Sequence, residues 1–139
     1  MTLMMDREAL TAFLARDFTE VADMFEVRSV DEAVLVLGLR VGPQHLRPGG
    51  TVSGPAIFGL VDVAMYLAIL ARIGPVALTV TTNCSIDFMR KPAAGKNLRA
   101  EARLLKMGRS LAVGDVLVFS DVVEAPVARA GLTYSIPPR

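Results

Sequence analysis

Apolar and polar positions along this chain change their period several times, and each change marks an element. Over residues 6–24, Leu10, Phe13, Leu14, Phe18, Val21 and Ala22 recur at three- and four-residue steps, the mark of an amphipathic helix. Residues 25–30 and 33–41 are rich in Val and Leu, flank Asp31-Glu32 and read as two strands. Residues 42–52, GPQHLRPGGTV, hold three Gly and two Pro, which forbid a regular element. Ser53-Gly54-Pro55 then reads as a helix start, with Ser53 as N-cap and Pro55 in the first turn, where a missing N–H costs nothing. The helix runs to about Ile73 and stops at Gly74-Pro75. Four strand-like segments follow, at about 76–89, 97–107, 110–120 and 126–136. The first alternates, with Leu78, Val80, Thr82, Cys84, Ile86 and Phe88 on one face and Thr79, Thr81, Asn83, Ser85 and Asp87 on the other.

Residues 55–70, PAIFGLVDVAMYLAIL, are apolar all round, so this helix has to be buried on every side. A single α+β domain over residues 1–139 meets that need: an antiparallel sheet wrapped around a long central helix, with residues 1–24 as an additional N-terminal helical segment. Such a sheet keeps an open edge, which invites pairing with a second copy.

Composition narrows the function mainly by exclusion. The 15 basic and 14 acidic side chains leave a net charge of +1, no basis for binding nucleic acid or an anionic membrane. With one Cys and one His there is no internal disulfide and no ordinary zinc site, and a reducing cytoplasmic compartment is expected. Residues 55–71 fall short of a membrane span and would place Asp62 near its centre, while MTLMMDREAL lacks the features of a signal peptide.

Asp62 is the one charge between Pro55 and Ala71; no Lys, Arg or His between 55 and 70 neutralises it, and Arg72 lies almost three turns further on. An unpaired carboxylate withdrawn from water is costly, so it is a candidate catalytic group. The alternative is a carboxylate satisfied by backbone donors or facing a water-filled gap. The N-terminus of the same helix offers free amides, with Gly54 permitting close approach of a ligand. No G-x-S-x-G, P-loop or G-x-G-x-x-G motif is present.

Three segments in this order, RPGGTVSGPAIFGLVDVAMYLAI (47–69), VTTNCSIDFMRKPA (80–93) and LLKMGRSLAVGDV (104–116), resemble the hotdog-fold acyl-CoA thioesterases of the PaaI-like group. The resemblance covers nearly all of Pro43 to Pro138. In that family a His-Gly-Gly element opens the helix and a carboxylate follows eight residues after the first Gly; Gly54 and Asp62 keep that interval, while the element itself reads Ser53-Gly54-Pro55. Arg47 stands where the family often has Asn. The resemblance implies a hotdog fold and thioester hydrolysis, with Asp62 as general base or nucleophile and the Gly54 N–H polarising the carbonyl. Thr81 takes the place of a family hydroxyl that orients water, with Thr82 and Asn83 beside it as further substrate contacts; alternation puts Thr81 on the polar face and Thr82 on the apolar one, so a bulge would exchange their roles, and two β-branched residues favouring a strand explain the Thr pair as well. Arg90, Lys91, Lys106 and Arg109 lie near strand ends and a Gly turn and are candidates for the phosphates of coenzyme A, against a default of solvated surface charge. Ile57, Phe58, Met65 and Tyr66 are candidates for an acyl pocket or ordinary core. His45 has no catalytic role in this reading.

Eight residues on one helix put Gly54 and Asp62 about 12 Å apart, too far for one carbonyl to touch both. A site that uses both therefore needs two subunits, and the family arrangement implies the same: a homodimer or homotetramer acting on acyl-CoA, with no cofactor beyond the coenzyme A of the substrate. Two other readings stand beside it. One is a non-catalytic hotdog protein that binds acyl-CoA or an apolar small molecule. The other is a hotdog hydratase or dehydratase, whose usual His is missing from this helix.

Overall fold

The computed structural model describes residues 3–138. Helix α1 spans Arg7–Asp17, with the Asp6 carboxylate accepting from the Ala9 N–H at 2.9 Å as its N-cap. Leu10, Phe13 and Leu14 are its buried face, as the spacing predicts. The helix ends earlier than residue 24: Phe18 leaves helical geometry at φ −120°, ψ 48°, and a turn with a short 3₁₀ segment, Ala22–Met24, leads on. Phe18 and Thr19, aromatic and β-branched, are weak helix formers at the point of departure.

Strands β1 (Phe25–Val30) and β2 (Leu35–Leu39) form a hairpin. Its turn is shaped by Asp31, whose Oδ1 accepts from the Ala33 and Val34 N–H groups at 2.7 and 2.8 Å. Helix α2 spans Gly54–Ile73, followed by β3 (Val80–Phe88), β4 (Leu98–Met107), β5 (Leu111–Ser120) and β6 (Ala128–Ser135). The strands make one antiparallel sheet in the order β1-β2-β4-β5-β6-β3, so β3 leaves sequence order to lie at the far edge. This is the α+β arrangement the pattern predicts, a sheet curled around one helix. The C-terminal half of α2 is buried from Ala64 to Ala71. Gly114 permits the closest approach: a Cβ there would lie 2.6 Å from the Arg103 carbonyl and against the Met65 methyl.

The N-terminal half of α2 is not buried all round. Pro55 and Phe58 are exposed and Asp62 is half-buried, at i, i+3 and i+7 along one stripe. The sheet ends at β3, and none of the described residues covers that stripe. The edge of β3 away from β6 is also unpaired among the described residues. Leu78, Val80, Phe88 and Met89 are exposed in and around this edge strand.

Strict alternation fails in β3. The pairing with β6 shifts between Thr81 and Asn83, a bulge that leaves Thr82 without a partner in the ladder. Beyond the bulge, Cys84 lies opposite the buried Leu132, on the face toward α2. Before it the parity inverts: Thr81 is opposite the buried Tyr134, Thr79 is buried, and Leu78 is 76% exposed. One extra residue thus exchanges Thr81 with Thr82 on the inner face and turns Leu78 and Val80 outward.

Candidate active site

Three elements meet at Asp62. It projects from the open stripe of α2, and the bulge in β3 aims the Thr81 hydroxyl at it, donating to Oδ1 at 2.6 Å. From β6, the Tyr134 hydroxyl lies 2.6 Å from the same Oδ1 and 2.7 Å from the Asp62 main-chain carbonyl. Asp62 has no ion-pair partner among the described residues, and Oδ2 has no hydrogen-bond donor there. The carboxylate is anchored through one oxygen, and the other is left as an acceptor. Burial, followed by the hydrogen bond to Asp62, raises the Tyr134 phenol far above its ordinary range. It therefore remains a donor and does not compete as a base. Burial first, then the nearby Asp62 charge, also raises the Cys84 thiol, which disfavours the thiolate a nucleophile would need.

Sequence reasoning missed Tyr134. The signal was available in the alternation of β6, where Ala128, Ala130, Leu132 and Tyr134 point inward and only Tyr134 carries a polar end. Nothing local in the sequence says that its hydroxyl meets Asp62, 72 residues earlier.

At the other end of the stripe, Ser53 caps α2 as predicted, its Oγ accepting from the Ala56 N–H at 3.2 Å. With Ala56 satisfied and Pro55 lacking an N–H, the Gly54 N–H at the tip of the helix has no acceptor among the described residues. Two cavities meet there. One, of about 540 Å³, is apolar and is lined by Gly54, Pro55, Phe58, Cys84, Ile86 and Phe88. The second, of about 390 Å³, includes Gly54 and the cations Arg47, Arg90 and Lys91. Arg47 begins a tight loop closed by its own N–H to the Thr51 carbonyl at 2.8 Å, with Gly49 and Gly50 at φ 102° and 85°. The Arg90 guanidinium donates to the Pro126 carbonyl at 2.6 Å, which holds it against the rim.

The remaining predicted residues are dispersed. Lys106 and Arg109 flank the β4–β5 turn, at the end of the sheet where Leu111 and Val80 both lie opposite Ser135. Arg90 and Lys91 follow Phe88 at the opposite end, so one chain does not gather the four cations. Thr82 and Asn83 are exposed on the edge strand, with the Thr82 hydroxyl donating to the Thr133 carbonyl at 3.2 Å. Ile57 and Met65 are core, Phe58 lines the apolar cavity at Gly54, and Tyr66 lines a separate cavity beside Asp62. His45 packs the loop: its Nδ1 accepts from the Gly42 N–H at 2.8 Å, its Nε2 faces the Met24 sulfur, and burial lowers its pKa.

Residues 49–126 match the thioesterase superfamily. Acyl-coenzyme A thioesterase PaaI of Escherichia coli (strain K12) is 32% identical over 111 residues, 80% of this chain and 77% of that protein. Among solved structures, a candidate thioesterase from Silicibacter sp. TM1040 is similar at 51% identity and a TM-score of 0.93, covering 99% of this chain and 96% of that one. Zebrafish thioesterase superfamily member 2 is similar at 26% identity and a TM-score of 0.79, covering 94% and 95%.

Proposed function

This chain belongs to the thioesterase superfamily, and from that premise we propose that it hydrolyses an acyl-CoA thioester to the free acid and CoA at a site completed by two subunits. The observation that carries the reading is the state of Asp62: two hydroxyls fix Oδ1, and among the described residues no cation neutralises the group and no donor meets Oδ2. As general base, Oδ2 takes a proton from water while the oxygen of that water bonds to the thioester carbon. The carbonyl oxygen becomes an oxyanion, which the Gly54 N–H and the positive end of α2 stabilise. Collapse breaks the carbon–sulfur bond, and the proton held by Asp62 passes to the departing CoA sulfur. As nucleophile, the same Oδ2 would bond to the carbon directly, the carbon–sulfur bond would break to expel the CoA thiolate, and water would then release the acid from the mixed anhydride, its lost proton going to the thiolate.

Helical geometry supports the second subunit. Gly54 and Asp62 lie four residues either side of Phe58. If two α2 helices pack antiparallel about a two-fold axis near Phe58, Gly54 of each copy comes opposite Asp62 of the other. Gly59, where a Cβ would meet nothing within 4 Å, allows close approach at the crossing. The same contact covers Pro55, Phe58 and the unpaired edge of β3. It also runs the two edge strands in opposite directions, which carries the β4–β5 turn of one copy, with Lys106 and Arg109, toward the Arg90 end of the other. Arg47, Arg90 and Lys91 then take the coenzyme A phosphates at the mouth beside Gly54, and Ser53 and Pro55 shape that mouth. Thr82 and Asn83 lie at the seam. The proposed enzyme is a soluble cytoplasmic homo-oligomer, consistent with the free Cys84.

The test is release of CoA thiol from acyl-CoA esters by the wild type and by Asp62→Asn, with thermal melting of both. The variant keeps its shape and fold and loses about two to four orders of magnitude in kcat. Near-normal turnover by a folded Asp62→Asn overturns the assignment, and tight binding without turnover by the wild type makes this a binding protein.

A further inference from the structure

A cavity of about 300 Å³ lies beside Asp62, on the side away from the tip of α2. Asp62, Thr81 and Tyr134 form its polar end, and the rest of its lining includes Val63, Tyr66 and Phe18. Phe18 comes from the end of α1, outside the residues that match the superfamily. Its half-buried ring meets Tyr66 edge-on at 5.6 Å between centroids. Tyr66 is itself held in place, its hydroxyl donating to the Ala77 carbonyl at 3.0 Å. The N-terminal segment thus adds an aromatic wall to an open pocket that the reacting carboxylate also lines.

We propose that this cavity receives the acyl group of the substrate and that Phe18, as its end wall, sets the longest acyl chain accepted. The inference rests on the thioesterase reading above. A thioester carbon within about 3 Å of Asp62 Oδ2 has two substituents to place. The sulfur arm leads to the cationic mouth, which the two-fold arrangement supplies from the partner subunit. The acyl arm is then directed into the cavity beside Asp62, where the Phe18, Val63 and Tyr66 side chains suit it and Thr79 is the one further polar residue of the lining. At roughly 30 Å³ per non-hydrogen atom, the share of one molecule in liquid water, 300 Å³ holds about ten such atoms. That volume suits a short chain or a single ring better than a long fatty acyl chain.

The experiment measures kcat/KM over straight-chain acyl-CoA esters from butanoyl to palmitoyl, for the wild type, Phe18→Ala and Ala77→Leu. Ala77 is exposed at the cavity lining, so a larger side chain there narrows the pocket without disturbing the core. The wild type falls off beyond acyl groups of about ten atoms. Phe18→Ala extends the limit, raising kcat/KM for longer esters relative to hexanoyl by about tenfold, and Ala77→Leu shortens it. If Phe18→Ala does not fold, the shortening by Ala77→Leu carries the test alone. A wild-type enzyme whose length profile neither folded variant alters overturns the acyl pocket and leaves the thioesterase reading standing. A wild type that turns over neither an ester of the series nor a CoA ester of a single-ring acid overturns both.

Discussion

Replacing Tyr134 with Phe removes one oxygen and tests whether Asp62 is a positioned carboxylate. The ring stays: it is 2% exposed and lies 6.2 Å from Tyr66 between centroids, in a stacked arrangement that does not involve the hydroxyl. What is lost is the donor 2.6 Å from Asp62 Oδ1 and 2.7 Å from its carbonyl. A hydrogen bond to a charged acceptor contributes about 1.5–3 kcal/mol, so Tyr134→Phe is expected to destabilise by that amount. For a domain of this size that is a fall in Tm of roughly 6–12 °C. In an Asp62→Asn background the acceptor is neutral and the same substitution costs less, leaving a coupling of about 1 kcal/mol in the double-mutant cycle. Turnover should separate kcat from KM. With only Thr81 left as an anchor, Oδ2 wanders from its line of approach and kcat drops about 10–100-fold, while KM changes little because the hydroxyl touches no part of coenzyme A. Equal stability losses in the two backgrounds, or an unchanged kcat in Tyr134→Phe, would refute the positioning role.

The cationic mouth gives a second expectation: Arg47→Glu combined with Lys91→Glu raises KM for acyl-CoA about tenfold, and steady-state kinetics on the matching acyl-pantetheine, which lacks the nucleotide, should show almost no change. The third concerns acid stability: the Arg28 guanidinium, bound to both oxygens of Asp121 at 2.8 and 3.0 Å, holds that carboxyl below its ordinary value of 3.8. The folded state therefore binds fewer protons than the unfolded one in that range, and the added stability is full above about pH 4 and lost as pH falls through the folded value. Thermal melts of wild type and Asp121→Asn should differ by about 1 kcal/mol at pH 6 and converge once pH falls below the folded value.

Much of the fold was legible because the hydrophobic period is strong where the packing is simple. The limits of α2 follow from chemistry in the sequence, Ser53 as cap and Gly74 at φ 92° as stop. The strands β4, β5 and β6 fall within two residues of their predicted ends. Errors arose where tertiary structure overrides local pattern. The bulge at Thr82 inverted the facing of Leu78 and Val80, because a two-residue period carries no record of an inserted residue. The open stripe of α2 was hidden by its composition, since the run from Pro55 to Leu70 reads as buried all round while Pro55 and Phe58 are exposed. Asp62 stood out as a lone charge, whereas its partners Thr81 and Tyr134 depend on strand register and on pairing across 72 residues.

The central claim is that one subunit supplies Gly54 and another Asp62, and subunit complementation tests it most directly. Two variants are prepared, Asp62→Asn and Gly54→Val, the latter placing a branched side chain at the helix tip beside Phe88. Each alone is expected to be nearly inactive. Mixed after dissociation, or produced together, they form hybrids in which one site pairs an intact Gly54 with an intact Asp62 and the other has neither. Random pairing into dimers then restores about a quarter of wild-type turnover per subunit. If the mixture forms hybrids and turnover stays at the level of the separate variants, the site is contained in one chain and the shared-site account is wrong.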